Sequence, residues 1–129
     1  MSVVTSHEEA IKWVEEMKDK DEPYLIYITG ALREDGTSWC PDCVETAVVC
    51  KFIMEESNIP NKLKTTVTRD DWLGKPHPFK VHALIKAGGV PTMAVFSGTS
   101  CMLRMDTADG NADQFKDQDT VDQFLEFDA

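Results

Sequence analysis

Two periods of apolar residues alternate along the chain, and the switches between them mark its elements. Val3-Val4 reads as a short strand. Ser6 with Glu9 then makes a capping box, and Ala10, Trp13, Val14 and Met17 follow at spacings of three and four, the apolar face of a helix that holds Trp13 in a core. A charged run over residues 18–22 and Pro23 close this helix, and Tyr24-Leu25-Ile26-Tyr27-Ile28 is an apolar, β-rich run. A polar loop over residues 30–38, bracketed by glycines, reads as exposed. From about Pro41 to Pro60, the residues Val44, Ala47, Val48, Phe52 and Ile53 recur near helical period, with Cys50 inside the same helix.

Residues 62–68 alternate as a strand. Pro76 and Pro78 keep a regular element from starting before about Pro78, after which a short helix carries Phe79, Val81, Leu84 and Ile85 until Gly88-Gly89 breaks it. The run from Val90 to Phe96 opens a strand on Pro91, Gly98 turns the chain, and residues 101–105 complete a β-hairpin. Val121, Phe124 and Leu125 give the face of a closing helix. The order β-α-β-α-β-α-β-β-α predicts an α/β fold, a central mixed sheet flanked by helices on both faces, in a single domain over residues 1–129.

Charge narrows the partners. The 129 residues hold 13 basic and 23 acidic side chains, a net charge of −10, which repels phosphate backbones and anionic membranes. Neither nucleic acid nor a membrane is an expected partner. The start has no basic region or apolar signal core, and no apolar run approaches the roughly 18 residues of a span. The expected location is cytoplasmic, where four cysteines persist as thiols.

The chemistry concentrates in Trp39-Cys40-Pro41-Asp42-Cys43. Two thiols at CxxC spacing serve either reversible disulfide formation or a zinc site. Zinc needs two further ligands, and Cys50, Cys101, His7, His77 and His82 do not supply the spacing, so no metal is expected. The motif falls between a strand and a helix. Pro41 suits the first helical position, which puts Cys40 at the helix N-terminus, where free amides and the macrodipole favour a thiolate. Cys40 is therefore the expected exposed nucleophile, with a pKa below the reference of about 8.5 despite the Asp42 carboxylate. Cys43, about a turn further on and more buried, is the expected resolving thiol.

These residues resemble the thioredoxin superfamily, and within it the small family of thioredoxin domain-containing protein 17, also called Clot. The likeness covers nearly the whole chain. It rests on Thr29-Gly30, Ser38-Trp39-Cys40-Pro41-Asp42-Cys43, Trp72 with Pro76-His77-Pro78-Phe79-Lys80-Val81, and Gly89-Val90-Pro91-Thr92. It implies a thioredoxin-like fold and a disulfide oxidoreductase acting on small-molecule or selected protein disulfides. Thioredoxin reductase is then the electron donor, and no bound cofactor is needed. By the same resemblance Cys40 attacks, Cys43 resolves, and Pro91 is a cis-proline facing them. Trp39, Pro41, Asp42, Val90 and Pro91 would shape the site, with the Val90 backbone left free for a substrate strand. The chain departs from the pattern in three places. It has no acid between Tyr24 and Thr29, it carries Val48 where a proline is common, and its loop over residues 107–118 is long and acidic. A competing expectation is a redox-sensing interaction module that uses the same face, including Trp39 and Trp72, without efficient turnover.

Overall fold

In a computed structural model the described residues are 1–127. Five strands form one sheet: β1 (Ser2–Val4), β2 (Pro23–Gly30), β3 (Asn61–Val67), β4 (Thr92–Ser97) and β5 (Ser100–Met105), in the spatial order β1-β3-β2-β4-β5. β1 and β2 run parallel to β3, while β4 is antiparallel to both β2 and β5, so the sheet is mixed as expected. Among the described residues five α-helices accompany it, α1 (His7–Met17), α2 (Pro41–Glu56), α3 (Arg69–Gly74), α4 (Pro78–Val81) and α5 (Gln118–Glu126), with a 3-10 turn at Asp113–Lys116.

Successive side chains of a strand point to opposite faces, so β2 feeds two cores. Tyr24, Ile26 and Ile28 join Ala10, Val14 and Met17 of α1 and Phe79 of α4. Leu25 and Tyr27 join Cys50, Ile53 and Met54 of α2 and Phe124 of α5. Helices therefore cover both faces. The Ser6 cap of α1 forms as the sequence indicates, with Ser6 Oγ accepting from the Glu9 amide at 3.3 Å.

Two elements differ from the sequence expectation. A helix does start before Pro78: Thr68 caps α3, its hydroxyl accepting from the Asp71 amide at 3.2 Å, with Asp70 and Asp71 in the favourable first turn. Pro76 ends that helix rather than forbidding it, and α4 is a single turn that stops at Val81, short of Leu84 and Ile85. The second difference lies on α2, whose buried residues are Cys43, Thr46, Cys50, Ile53 and Met54. Val44, Val48 and Phe52 face outward, Val48 with 82% of its surface exposed. Apolar residues surround this helix, so its pattern carries no phase and packing decides which stripe goes in.

Candidate active site

The two cysteines stand where β2 ends and α2 begins, at the carboxyl end of a central strand, the usual place for a site in an open α/β sheet. Cys40 is the N-cap of α2 with extended backbone, and Pro41 occupies the first helical position. All four cysteines are free thiols. The Cys43 amide donates to Cys40 Sγ at 3.2 Å, and the Gly30 amide donates to Cys43 Sγ at 3.3 Å. Each sulfur thus has one backbone N–H, as a thiolate requires.

The loop before the motif folds down on this pair. Ser38 Oγ donates to the Gly30 carbonyl at 2.9 Å and accepts from the Cys40 amide at 3.2 Å. The Trp39 indole N–H donates to the Val67 carbonyl at 2.8 Å, and Arg33 reaches the Trp39 carbonyl at 3.3 Å. Gly30 must be glycine here: a Cβ would lie 2.6 Å from Ser38 Oγ and 2.9 Å from Cys40 Cβ. As a result Cys40 is only 4% exposed and Cys43 2%. The expected contrast between an exposed Cys40 and a buried Cys43 is absent, because the loop, which periodicity showed only as polar, covers the helix terminus.

The sulfurs titrate as a pair. The hydrogen bond between the Cys40 and Cys43 side chains, whose one thiol proton the Val90 carbonyl also shares, then burial, then the charge on Cys43 push Cys40 well above the ordinary thiol value. The Asp42 carboxylate adds to that penalty. The same bond from Cys40 pulls Cys43 down to about 7, with help from Thr29, the Gly30 amide and Ser38. Of the two sulfurs, Cys43 is thus drawn towards the thiolate and Cys40 away from it, the reverse of the expectation for Cys40. A buried pair holds one negative charge easily and a second only at great cost.

Val90 and Pro91 are buried against the motif. Their peptide bond is cis, and the Cys40 thiol donates to the Val90 carbonyl at 3.4 Å. That carbonyl is not free for a substrate, since the Thr107 hydroxyl also donates to it at 3.0 Å. Thr107 is the residue that sequence reasoning missed, and only the length of its loop hinted at it. On the far side, a groove of about 260 Å³ reaches Cys43 and is lined among others by Tyr27, Thr29, Ser38 and Lys64. Pro41 is exposed and Asp42 partly so, while Trp72 is buried, 5% exposed, with Lys80 Nζ 4.3 Å from its ring centroid. Trp72 is therefore core and no part of an interaction face. Cys50 is fully buried, and burial pushes its thiol up to about 12, while Cys101 is exposed on β5, remote in the sheet from the motif. Among the described residues no group of three or more His, Cys, Asp or Glu is placed to hold a metal ion, and no helix is long and apolar enough to cross a membrane.

A mixed sheet with a CxxC pair capping the helix after a central strand defines a thioredoxin fold, and solved thioredoxins share it. The structure of Fasciola hepatica thioredoxin matches with a TM-score of 0.54 over 96% of this chain and 99% of that one, at 15% identity. The family model for the thioredoxin domain of thioredoxin domain-containing protein 17-like proteins matches residues 3–126, and the chain belongs to that family. Thioredoxin-like protein Clot of Arabidopsis thaliana is 30% identical over 87 residues, 64% of this chain and 63% of that protein, so the match spans just under two thirds of that relative. Thioredoxin domain-containing protein 17 of Danio rerio is 32% identical over 97 residues, 70% of this chain and 72% of that one. Family and fold together support a thioredoxin-type redox function.

Proposed function

We propose that the protein is a cytosolic dithiol–disulfide oxidoreductase of one domain that reduces small-molecule or selected protein disulfides through Cys40 and Cys43. One observation carries this reading: two free thiols share one helix terminus, with the Cys43 amide 3.2 Å from Cys40 Sγ and a backbone donor on each sulfur. As a substrate disulfide approaches, the Cys40 proton passes to Cys43, and the Cys40 thiolate forms a bond to one substrate sulfur. The substrate's S–S bond breaks and its second sulfur leaves as a thiolate that takes a proton. Cys43 then gives up its proton and attacks Cys40, which releases the first substrate sulfur and leaves a Cys40–Cys43 disulfide. Two electrons have moved from the protein to the substrate. Thioredoxin reductase is the proposed donor that restores the dithiol, with no bound cofactor in this chain. Trp39, Pro41, Asp42, Val90 and Pro91 shape the entry to Cys40.

The burial of both sulfurs favours one second reading, a redox-sensing interaction module in which substrates reach Cys40 too slowly for turnover. Reduction of cystine and of insulin separates the two. The reductase reading expects steady turnover that Cys40→Ser abolishes, while Cys43→Ser accumulates mixed disulfides. Loss of turnover in neither variant, or trapping on Cys43 instead of Cys40, overturns the assignment.

A further inference from the structure

The loop after β5 is the feature that the thiol chemistry above leaves without a role, and it packs on the site backbone against backbone. Asp106 and Thr107 are each only 8% exposed. Their geometry is tightly held: the Asp106 amide donates to Gln114 Oε1 at 2.8 Å, the Ala108 amide to Asp106 Oδ1 at 3.0 Å, and the Gly110 amide to the Thr107 carbonyl at 2.9 Å. Opposite them run Gly88, Gly89 and Val90. A Cβ at Gly89 would collide with Thr107 Oγ1 and lie 3.1 Å from the Thr107 carbonyl, and one at Gly88 would lie 2.6 Å from Ala108 Cβ. The paired glycines thus let this loop approach closely enough for the Thr107 hydroxyl to reach Val90.

We propose that Thr107 is a positioning residue for disulfide exchange, its hydroxyl holding the Val90 carbonyl against the Cys40 sulfur. The carbonyl oxygen has two lone pairs. Thr107 Oγ1 donates to it at 3.0 Å and Cys40 Sγ at 3.4 Å. When Cys40 loses its proton to begin attack, the second bond is lost. Thr107 then keeps the buried oxygen satisfied and draws on its partial charge, which would otherwise face the new thiolate. Without that hydroxyl, ionisation of Cys40 leaves a buried acceptor with no donor, so the attacking state is penalised. The other charged or titratable groups around the cap are Cys43 and Asp42 from α2, Arg33 at the Trp39 carbonyl, and Asp106 on the Thr107 loop beside Gly88. None of them donates to the Val90 oxygen.

The inference rests on Cys40 being the attacking thiol, and its test reads that thiol directly. The full chain, reduced, is alkylated with iodoacetamide across a pH series, and modification of Cys40 is followed by mass spectrometry alongside the thermal melt. Thr107→Val is expected to alkylate at Cys40 about threefold more slowly across the series, because the form of the pair with its charge on Cys40 is penalised, while the midpoint stays where Cys43 loses its proton. Thr107→Ser, which keeps the hydroxyl, restores the wild-type profile. Thr107→Ala, which adds no bulk, follows the valine variant and guards against misfolding. A valine or alanine variant that alkylates like the wild type, or a serine variant as slow as valine, overturns the proposal. Cystine reduction by the wild type is measured in parallel. Its absence, with the Thr107 effect intact, sinks the reductase reading and leaves this one standing.

Discussion

α1 and α2 lie on opposite faces of one sheet and are apolar in different ways. α1 has a single stripe, Ala10, Val14 and Met17, and that stripe is what it buries. α2 is apolar on several sides, buries Cys43, Thr46, Cys50, Ile53 and Met54, and leaves Val44, Val48 and Phe52 in solvent. The difference teaches where orientation comes from. Hydrophobic contrast turns α1 towards its core. In α2 the first turn is fixed instead by bonds at the dithiol, since the Cys43 amide and sulfur are both engaged, and the helix behind follows that anchor. Its first turn packs with the α1 core and its body with the α5 core, so α2 ties the two together.

The comparison breaks if either helix is buried other than as described. Met17→Ala on α1 and Ile53→Ala on α2 should each cost about 2–5 kcal/mol in chemical denaturation, the range for truncating a fully buried side chain. A cost below about 1 kcal/mol at Ile53 would mean that α2 repacks through its outer stripe. The next effect concerns the anchor. With Cys43 near 7, alkylation of the dithiol should rise through about that pH and fall about tenfold per unit well below it, where both thiols are protonated. A flat profile over that range would remove the shared charge from the site.

A smaller effect belongs to the α1 side. Burial, then the neighbouring His7, hold His77 below the ordinary imidazole value, and its Nδ1 accepts from the Phe79 amide at 3.1 Å. The unfolded chain takes up that proton more readily than the fold. The contribution to stability is therefore present above about 6.5 and lost as pH falls through the lower folded value. Melting between about pH 7.5 and 5 should show a smaller acid loss in His77→Asn, which keeps an acceptor for Phe79, than in the wild type. Equal losses would place the acid sensitivity elsewhere. The smallest effect is Val48→Glu, expected to change stability by no more than about 0.5 kcal/mol because the side chain is 82% exposed. A larger loss in denaturation would show that the outer stripe is covered.

Much of this was legible in the sequence because it is local. The β2 run, the Ser6 cap, Pro41 at the helix start and the hairpin around Gly98 all depend on residues a few positions apart. α3 was equally local, but Thr68 and Asp71 were hidden behind the weight given to Pro76 and Pro78. The phase of α2 was not legible, since a helix with apolar residues on several sides offers no contrast to read. Nor was the burial of Cys40, or the sharing of the Val90 oxygen, because Cys40, Val90 and Thr107 meet only once the chain has folded across sequence separations of 50 and 17. What the CxxC spacing does announce is which two sulfurs are proposed to react. It leaves open how deep they sit.

That depth has a mechanical origin in the missing side chain at Gly30. With Ser38 Oγ 2.6 Å and Cys40 Cβ 2.9 Å from where a Cβ would stand, the residue acts as a shim of zero thickness between the end of β2 and the cap of α2. Thickening it by one methyl would lift the cap and, with it, disturb the Gly30 amide that donates to Cys43 Sγ at 3.3 Å. Accessibility and reactivity of the dithiol thus meet in one residue, so opening this site to large disulfides at Gly30 would also change the donor set of its sulfurs.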